Sequence, residues 1–311
     1  MKKLLTILLS MLLLVTGAVG LTACGGEKNI TVVAREQGSG TREAFDKVVT
    51  DGNGNFLEMK VDGKKVYKTT SNADIQKETG NVMSKVASDK NAIGYISLGS
   101  VNNTIKVVNV NGVAPTSQSV LDGSYKIQRP FVIMTNSTVT LTDIAADFLL
   151  YLKSEASETH AEEAGCIYLA DETKRANEGE TAIPVVEYEV KSSLPAGGKI
   201  TVNGSTSMEK FIKKAMSGYA TLYGRTADEI FTLDLQGSSV GKTAVQNDKN
   251  GNVIGLSSAS VKEEGINSFN VCLDAVAVIV NKANEKLNDL TIAQLYDIFS
   301  GKATKFSEIA G

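Results

Sequence analysis

At four places a short apolar strand runs straight into a turn of glycine, serine and threonine and then into an amphipathic helix. That alternation restricts the chain to α/β architecture. Ile200-Thr201-Val202 leads into Asn203-Gly204-Ser205-Thr206-Ser207. The helix after it carries Met208, Phe211, Ile212, Ala215, Met216 and Tyr219 on one face, at spacings of three and four. Thr206 and Glu209 have the capping-box spacing, so the helix is expected to start there. The alternating strand Phe231 to Leu235 precedes Gly237-Ser238-Ser239-Val240-Gly241, and Val253-Ile254 precedes Gly255-Leu256-Ser257-Ser258. Ile30 to Ala34 precedes Arg35-Glu36-Gln37-Gly38-Ser39-Gly40-Thr41-Arg42, which opens a helix carrying Ala44, Phe45, Val48 and Val49.

Between these units the pattern is consistent. Asp51-Gly52-Asn53-Gly54 and Asp62-Gly63 are turn signals framing a small hairpin over 56–69. Ala92 to Leu98 reads as a strand, and 142–153 has helical periodicity with Ile144, Ala145, Phe148, Leu149 and Leu152 on one face. Residues 155–180 are charged and poor in β-branched side chains. Ser192 to Gly198, with Pro195 and a Gly pair, is the clearest linker signal, and a new α/β pattern begins at Lys199.

The turns share one chemical capability. A helix N-terminus presents unpaired N–H donors and about half a positive charge. Glycine lets the backbone approach a ligand, and Ser/Thr hydroxyls add uncharged donors. Each turn alone is an ordinary helix cap. Four in one chain, one of them beside an arginine, point to a site for a small oxyanion.

The first residues describe where the protein goes. Lys2 and Lys3 precede an apolar run from Leu4 to Val19, and Leu21-Thr22-Ala23-Cys24 follows. This has the n-region, h-region and small cleavage residues of a secretory signal. The segment resembles the lipobox of bacterial lipoproteins. That resemblance implies cleavage after residue 23, a lipid on the Cys24 thiol, and residues 24–28 as a tether on the extracytoplasmic face of the cell membrane. Two acyl chains anchor stably where one does so marginally. A net charge of −3 gives no footprint for nucleic acid. The other cysteines, Cys166 and Cys272, do not make a disulfide framework, and Cys272 sits in an apolar run as a small hydrophobe. No histidine–cysteine cluster marks a metal site or a cofactor. The lone His160 is read as a solvated surface residue among glutamates.

Longer segments carry a specific resemblance. Ile200 to Ser207, Arg35 to Phe45, Asn91 to Gly99, Arg129-Pro130-Phe131 and Leu290 to Lys302 are similar to segments of phosphate-binding lipoproteins of ABC transporters. The resemblance implies a two-lobed, type II periplasmic-binding-protein-like α/β fold, with phosphate held between lobes and passed to permease subunits. It implies a binding protein rather than an enzyme. By position, Thr206, Ser207, Ser238 and Ser258 fall at the contacts of one lobe, and Arg35, Ser39, Gly40 and Thr41 at those of the other. Arg35 is then expected to be the only formal charge bonded to the anion.

This chain departs from the family in order and in detail. The Arg-x-x-Gly-Ser-Gly-Thr lobe comes first, as in a circular permutant or in one slice of a tandem array. The lobes are expected over 29–131 and 132–311, with 170–198 linker-like. A permutation should leave a single covalent crossover near residues 131–135 and loosely tied lobes. Ser258 stands where some members have an aspartate that accepts the proton phosphate keeps, and Gln37 replaces an acid. Sulfate, or a sensing or scaffolding role on the same fold, is therefore an open alternative. An enzyme alternative rests on Gln236-Gly237-Ser238-Ser239-Val240-Gly241-Lys242-Thr243, which is one glycine short of a phosphate-binding nucleotide loop.

Overall fold

A computed structural model of the protein describes residues 28–168 and 186–309. The signal segment, Cys24 and most of the tether lie outside the described residues, as does 170–185. No helix among the described residues is long and apolar enough to cross a membrane.

The chain order follows from the strand–turn–helix pattern. β1 (Thr31–Arg35) enters the helix Gly40–Val48. The hairpin β2 (Glu58–Val61) and β3 (Lys64–Tyr67) follows, then β4 (Asp74–Gln76), the helix Thr79–Ser88, β5 (Ala92–Ser97) and β6 (Ile105–Val110). β7 (Gln128–Asn136) leads to the helices Asp143–Lys153 and Glu158–Glu163 and to the short β8 (Ile167–Tyr168). β9 (Ile200–Gly204), the helix Glu209–Leu222, β10 (Phe231–Asp234), the helix Ser238–Asn247 and β11 (Val253–Ser257) come next. β12 (Ile266–Asn281), β13 (Asp289–Leu290) and the helix Ile292–Ser300 complete the order.

One sheet runs through the molecule in the order β10-β9-β11-β7-β12-β5-β1-β4, with β6, β8 and β13 paired off this path. β9, β10 and β11 are mutually parallel, as are β1, β4 and β5, and the long antiparallel pair β7–β12 joins the two groups. Parallel groups need both faces covered, which the helices on each side supply. Two large apolar cores result, with smaller clusters around Val82 and around Val132. One gathers Phe148, Phe211, Tyr219, Ile254 and Val271 around the Thr206 turn; the other gathers Phe45, Tyr95, Val278, Leu295 and Phe299 around Arg35. In the second core Phe45 stacks on Tyr95 at 4.1 Å between ring centroids, and Phe299 packs edge-on against Phe45.

The lobe boundary expected at residue 131 marks only the first crossing. β12 pairs with β7 at Val132 and with β5 and β6 from Val276 onwards, so it carries the chain back. Residues 276–309 therefore pack in the Arg35 lobe, because Val276, Val278, Val280 and Phe299 complete its core. The single loose crossover is corrected by the same observation: two crossing strands, hydrogen-bonded to each other, join the lobes. Residues 186–198 stay within one lobe. The Tyr188 hydroxyl donates to Asp147 at 2.9 Å, and the Ile144 N–H donates to the Ala196 carbonyl at 2.9 Å. The capping box expected at Thr206 and Glu209 does not form. Thr206–Met208 is a short 3-10 turn capped by Ser205, and the α-helix starts at Glu209.

Candidate anion-binding site

The strand–turn–helix units of the two lobes face each other where β1, β9 and β11 end. Ser39 caps the helix Gly40–Val48 by accepting the Arg42 N–H at 3.4 Å, which leaves the buried Gly40 and Thr41 at the head of the helix axis, facing the other lobe. Gly40 needs to be glycine. A Cβ there would lie 2.5 Å from the Ser258 carbonyl carbon and 2.6 Å from its Oγ, so the lobes meet backbone against backbone. Gly38 adopts φ +89°, and a side chain there would strike Ser239 of the opposite lobe.

Hydroxyls bridge the cleft directly. Thr41 Oγ1 lies 2.9 Å from Ser207 Oγ, and Thr79 Oγ1 lies 3.2 Å from Thr206 Oγ1 and 3.4 Å from Ser207 Oγ. On the Thr206 lobe, Ser205 Oγ donates to Ser258 Oγ at 2.9 Å, and Ser238 Oγ is 3.3 Å from the same atom. The Ser258 N–H donates to Ser238 Oγ at 3.1 Å. Ser238 is the first residue of the helix Ser238–Asn247 and Thr79 the first of Thr79–Ser88, so further helix N-termini aim here.

Two buried arginines line this ring. Arg35 Nη1 reaches Thr79 Oγ1 at 3.3 Å and Thr41 Oγ1 at 3.5 Å. Its Nη2 donates to the Lys77 carbonyl at 2.8 Å, and Nε and Nη2 each reach a Glu36 oxygen at 3.1 Å. Behind Arg35, Arg42 donates to the Arg35 carbonyl at 2.9 Å and to Asp46 at 2.9 Å. Burial pushes the Asp46 carboxyl up to about 6 against the opposing pull of Arg42.

Arg129 is the second cation, so Arg35 is not alone at the cleft. Arg129 Nη1 donates to Thr41 Oγ1 at 2.8 Å and to the Ser258 carbonyl at 3.4 Å, touching both lobes. Its Nε and Nη2 grip Asp274 Oδ2 at 3.1 and 2.9 Å, and Ser97 Oγ donates to Asp274 Oδ1 at 2.9 Å. Burial pushes the Asp274 carboxyl up and the Arg129 guanidinium down, while their mutual attraction opposes both shifts.

The structure therefore brings Arg35, Thr41, Thr206, Ser207, Ser238 and Ser258 together, with Ser39 and Gly40 forming the turn behind Thr41. Thr79, Arg129, Asp274 and Ser205 belong to the same cluster: Ser205 and Arg129 lie in motifs the sequence singled out but were not expected as contacts, and Thr79 and Asp274 were not expected at the site at all. Asp274 did leave a signal, as a lone acid in the apolar run 271–280. Thr79 left none, because nothing in Lys77-Glu78-Thr79 distinguishes it from a surface turn. His160 is not simply solvated: its Nε2 lies 2.7 Å from the Tyr151 hydroxyl, and burial lowers its pKa. The near-nucleotide loop is also placed differently. Lys242 pairs with Glu263, and Thr243 Oγ1 bonds back to the Ser239 carbonyl, so neither points at the cleft hydroxyls.

Residues 23–156 and 189–311 match the sequence model of the PBP superfamily domain, a match in two segments that is consistent with a permuted order. The phosphate-binding protein PstS 2 of Streptococcus pneumoniae is 34% identical over 304 residues, covering 93% of this chain and 94% of its own. The PstS 2 protein of Streptococcus agalactiae is 32% identical over 312 residues, covering 96% and 97%. These relatives share the order of the two lobes along nearly their whole lengths. The crystal structure of a phosphate-binding protein of a phosphate ABC transporter from Streptococcus pneumoniae superposes with a TM-score of 0.62 at 32% identity, covering 90% of this chain and 99% of that one. With its two α/β lobes, its paired crossing strands and its cleft of facing helix N-termini, the chain belongs to the PBP superfamily, in the family of the streptococcal phosphate-binding proteins.

Proposed function

We infer that the protein captures inorganic phosphate between its lobes and passes it to the permease subunits of an ABC transporter. The observation that carries this is the meeting of Thr41 and Thr79 with Ser207 and Thr206 at hydrogen-bond distance across the cleft, with Arg35 Nη1 on both threonines. An oxyanion entering there exchanges hydroxyl–hydroxyl contacts for charge-assisted ones, worth on the order of 1.5–3 kcal/mol each. Thr41, Ser207, Thr206 and Ser258 supply hydroxyls, the Gly40 and Thr41 N–H groups point along the helix axis, and Arg35, its Nε and Nη2 held by Glu36, supplies the charged Nη1 donor. The names of the streptococcal relatives agree with phosphate as the ligand.

The role is binding and delivery, without catalysis. Delivery takes place at the extracytoplasmic face, with Cys24 as the site of lipid attachment and residues 1–23 as the signal removed. Mass spectrometry of the membrane-extracted protein tests the anchor: a diacylglycerol adduct on Cys24 is expected, and an unmodified Met1 start would overturn it.

Selectivity is the finer question. Glu36 and Asp274 are the carboxylates bonded to the two arginines of the ring, and both already accept from them. The proton that phosphate keeps near neutral pH is then accepted by a hydroxyl, with Ser258 at the expected position. Equilibrium dialysis of labelled phosphate against sulfate decides this. Retention of phosphate under a hundredfold excess of sulfate is expected, and equal displacement would assign the site to tetrahedral oxyanions in general.

A further inference from the structure

A cavity of 740 Å³ lies between the lobes beside the anion loops. Its floor is formed by Gln128, Arg129 and Pro130 of β7; Lys47 and Lys65 line it from one lobe, Lys242 and Lys262 from the other. Including Arg129, the lining carries five cationic side chains against two carboxylates, Glu43 and Glu263, although the chain as a whole has a net charge of −3. Lys47 pairs with Glu43, Lys242 with Glu263, and Lys65 with Glu58 behind the wall. One partner of each pair is well exposed, with Lys47 at 53%, Lys65 at 44% and Glu263 at 41%, and such pairs exchange readily for a stronger anion. The Lys262 ammonium has no ion-pair partner among the described residues. On the floor, Gln128 Oε1 is buried with no hydrogen-bond donor, an acceptor that a ligand P–OH would satisfy.

The geometry points to a second anion site in this cavity, for a linear oligophosphate such as tripolyphosphate. Its volume is that of a small-molecule pocket, about 300–1,000 Å³, and far exceeds one phosphate ion. Lysine ammonium groups act as point charges on flexible stems, which suits several phosphoryl groups in a chain better than one fixed tetrahedron. Lys242 finds its role here rather than in a nucleotide loop. Because the walls come from different lobes, an oligophosphate spanning them favours the arrangement in which the lobes face each other. Arg129 is the shared wall, bonded to Thr41 and to the Ser258 carbonyl. By linkage, occupancy of the cavity raises phosphate affinity at the anion loops, and the converse. This coupling rests on the phosphate function proposed above; oligophosphate binding to the cavity does not.

The test is calorimetric titration of tripolyphosphate into the phosphate-saturated protein, into Arg35→Ala, and into Lys47→Glu/Lys262→Glu. Binding is expected to the saturated wild type and to Arg35→Ala. In the lysine variant it should be weakened at least tenfold, with inorganic phosphate affinity kept within twofold and the circular dichroism spectrum unchanged. Phosphate affinity of the wild type should rise when tripolyphosphate is present. Absence of tripolyphosphate binding, or binding that phosphate displaces and the lysine substitutions leave intact, would overturn the second site. Failure of the wild type to bind phosphate, with tripolyphosphate binding still lysine-dependent, would sink the proposed function and the coupling while leaving the cavity site standing.

Discussion

The pair Arg129–Asp274 ties β7 to β12 where both strands cross between the lobes, and its removal has a calculable cost. The two side chains are 2% and 0% exposed, so neither charge can turn to water. Asp274→Ala leaves the guanidinium buried without its counterion, a loss of about 3–5 kcal/mol. Ser97 also loses its acceptor, which adds about 1 kcal/mol. The sum, about 4–6 kcal/mol, is a large fraction of the stability of a protein this size. Replacing both partners by apolar side chains, Arg129→Met/Asp274→Leu, avoids the stranded charge and should cost within about 2 kcal/mol of wild type. Urea unfolding of the ligand-free protein, followed by far-UV circular dichroism and tyrosine fluorescence, measures the difference. Both probes should shift together in Asp274→Ala, because the pair joins the two lobes. Phosphate affinity should fall as well, since Arg129 holds Thr41 at 2.8 Å. A loss under about 1 kcal/mol in Asp274→Ala, or a double variant as unstable as the single, would refute the claim that burial of the charge sets the cost.

Other perturbations separate the parts of the cleft. In Gly40→Ala the new methyl would sit 2.5 Å from the Ser258 carbonyl carbon, so the lobes cannot approach to this distance and phosphate affinity should drop at least about a hundredfold. An unchanged affinity would show that the lobes bind without closing to this distance. For Asp46 the folded value of about 6 lies above the ordinary aspartate value of 3.8, so the native state takes up its proton first as pH falls. Between pH 7 and pH 4 this favours the native state by up to about 3 kcal/mol, and the gain is lost as pH rises through 6. Asp46→Asn removes it, so the stability difference between wild type and variant should move by about 2–3 kcal/mol towards wild type over that range. Parallel denaturation curves at pH 4.5 and pH 7 would contradict the assignment.

The turns were legible because their chemistry is local: a glycine, a hydroxyl at a helix start, and a strand before it are neighbours in sequence. The individual positions Arg35, Thr41, Ser207 and Ser258 within them came from the resemblance to phosphate-binding lipoproteins. What was not legible is set by long-range pairing. Arg129 meets Asp274 across 145 positions, and Thr79 meets Thr206 across 127. Only the register of β7 on β12 makes the first pair, and only the approach of the lobes makes the second. The lobe boundary failed for the same reason. The apolar run 271–280 is too uniform to show that its first residues pack against one core and its last against the other. The misplaced capping box shows a smaller limit, since Ser205 and Thr206 are both good caps and the tight turn against Leu256 selects Ser205.

The most direct test of phosphate capture between the lobes is calorimetric titration of phosphate into the protein after bound anion has been stripped by unfolding and refolding. Wild type should bind one phosphate per chain in the submicromolar range. Arg35→Ala, which loses charge-assisted hydrogen bonds worth on the order of 1.5–3 kcal/mol each, should bind at least about a hundredfold more weakly. A folded wild type that takes up no phosphate, or an Arg35→Ala variant that binds as tightly as wild type, would contradict it.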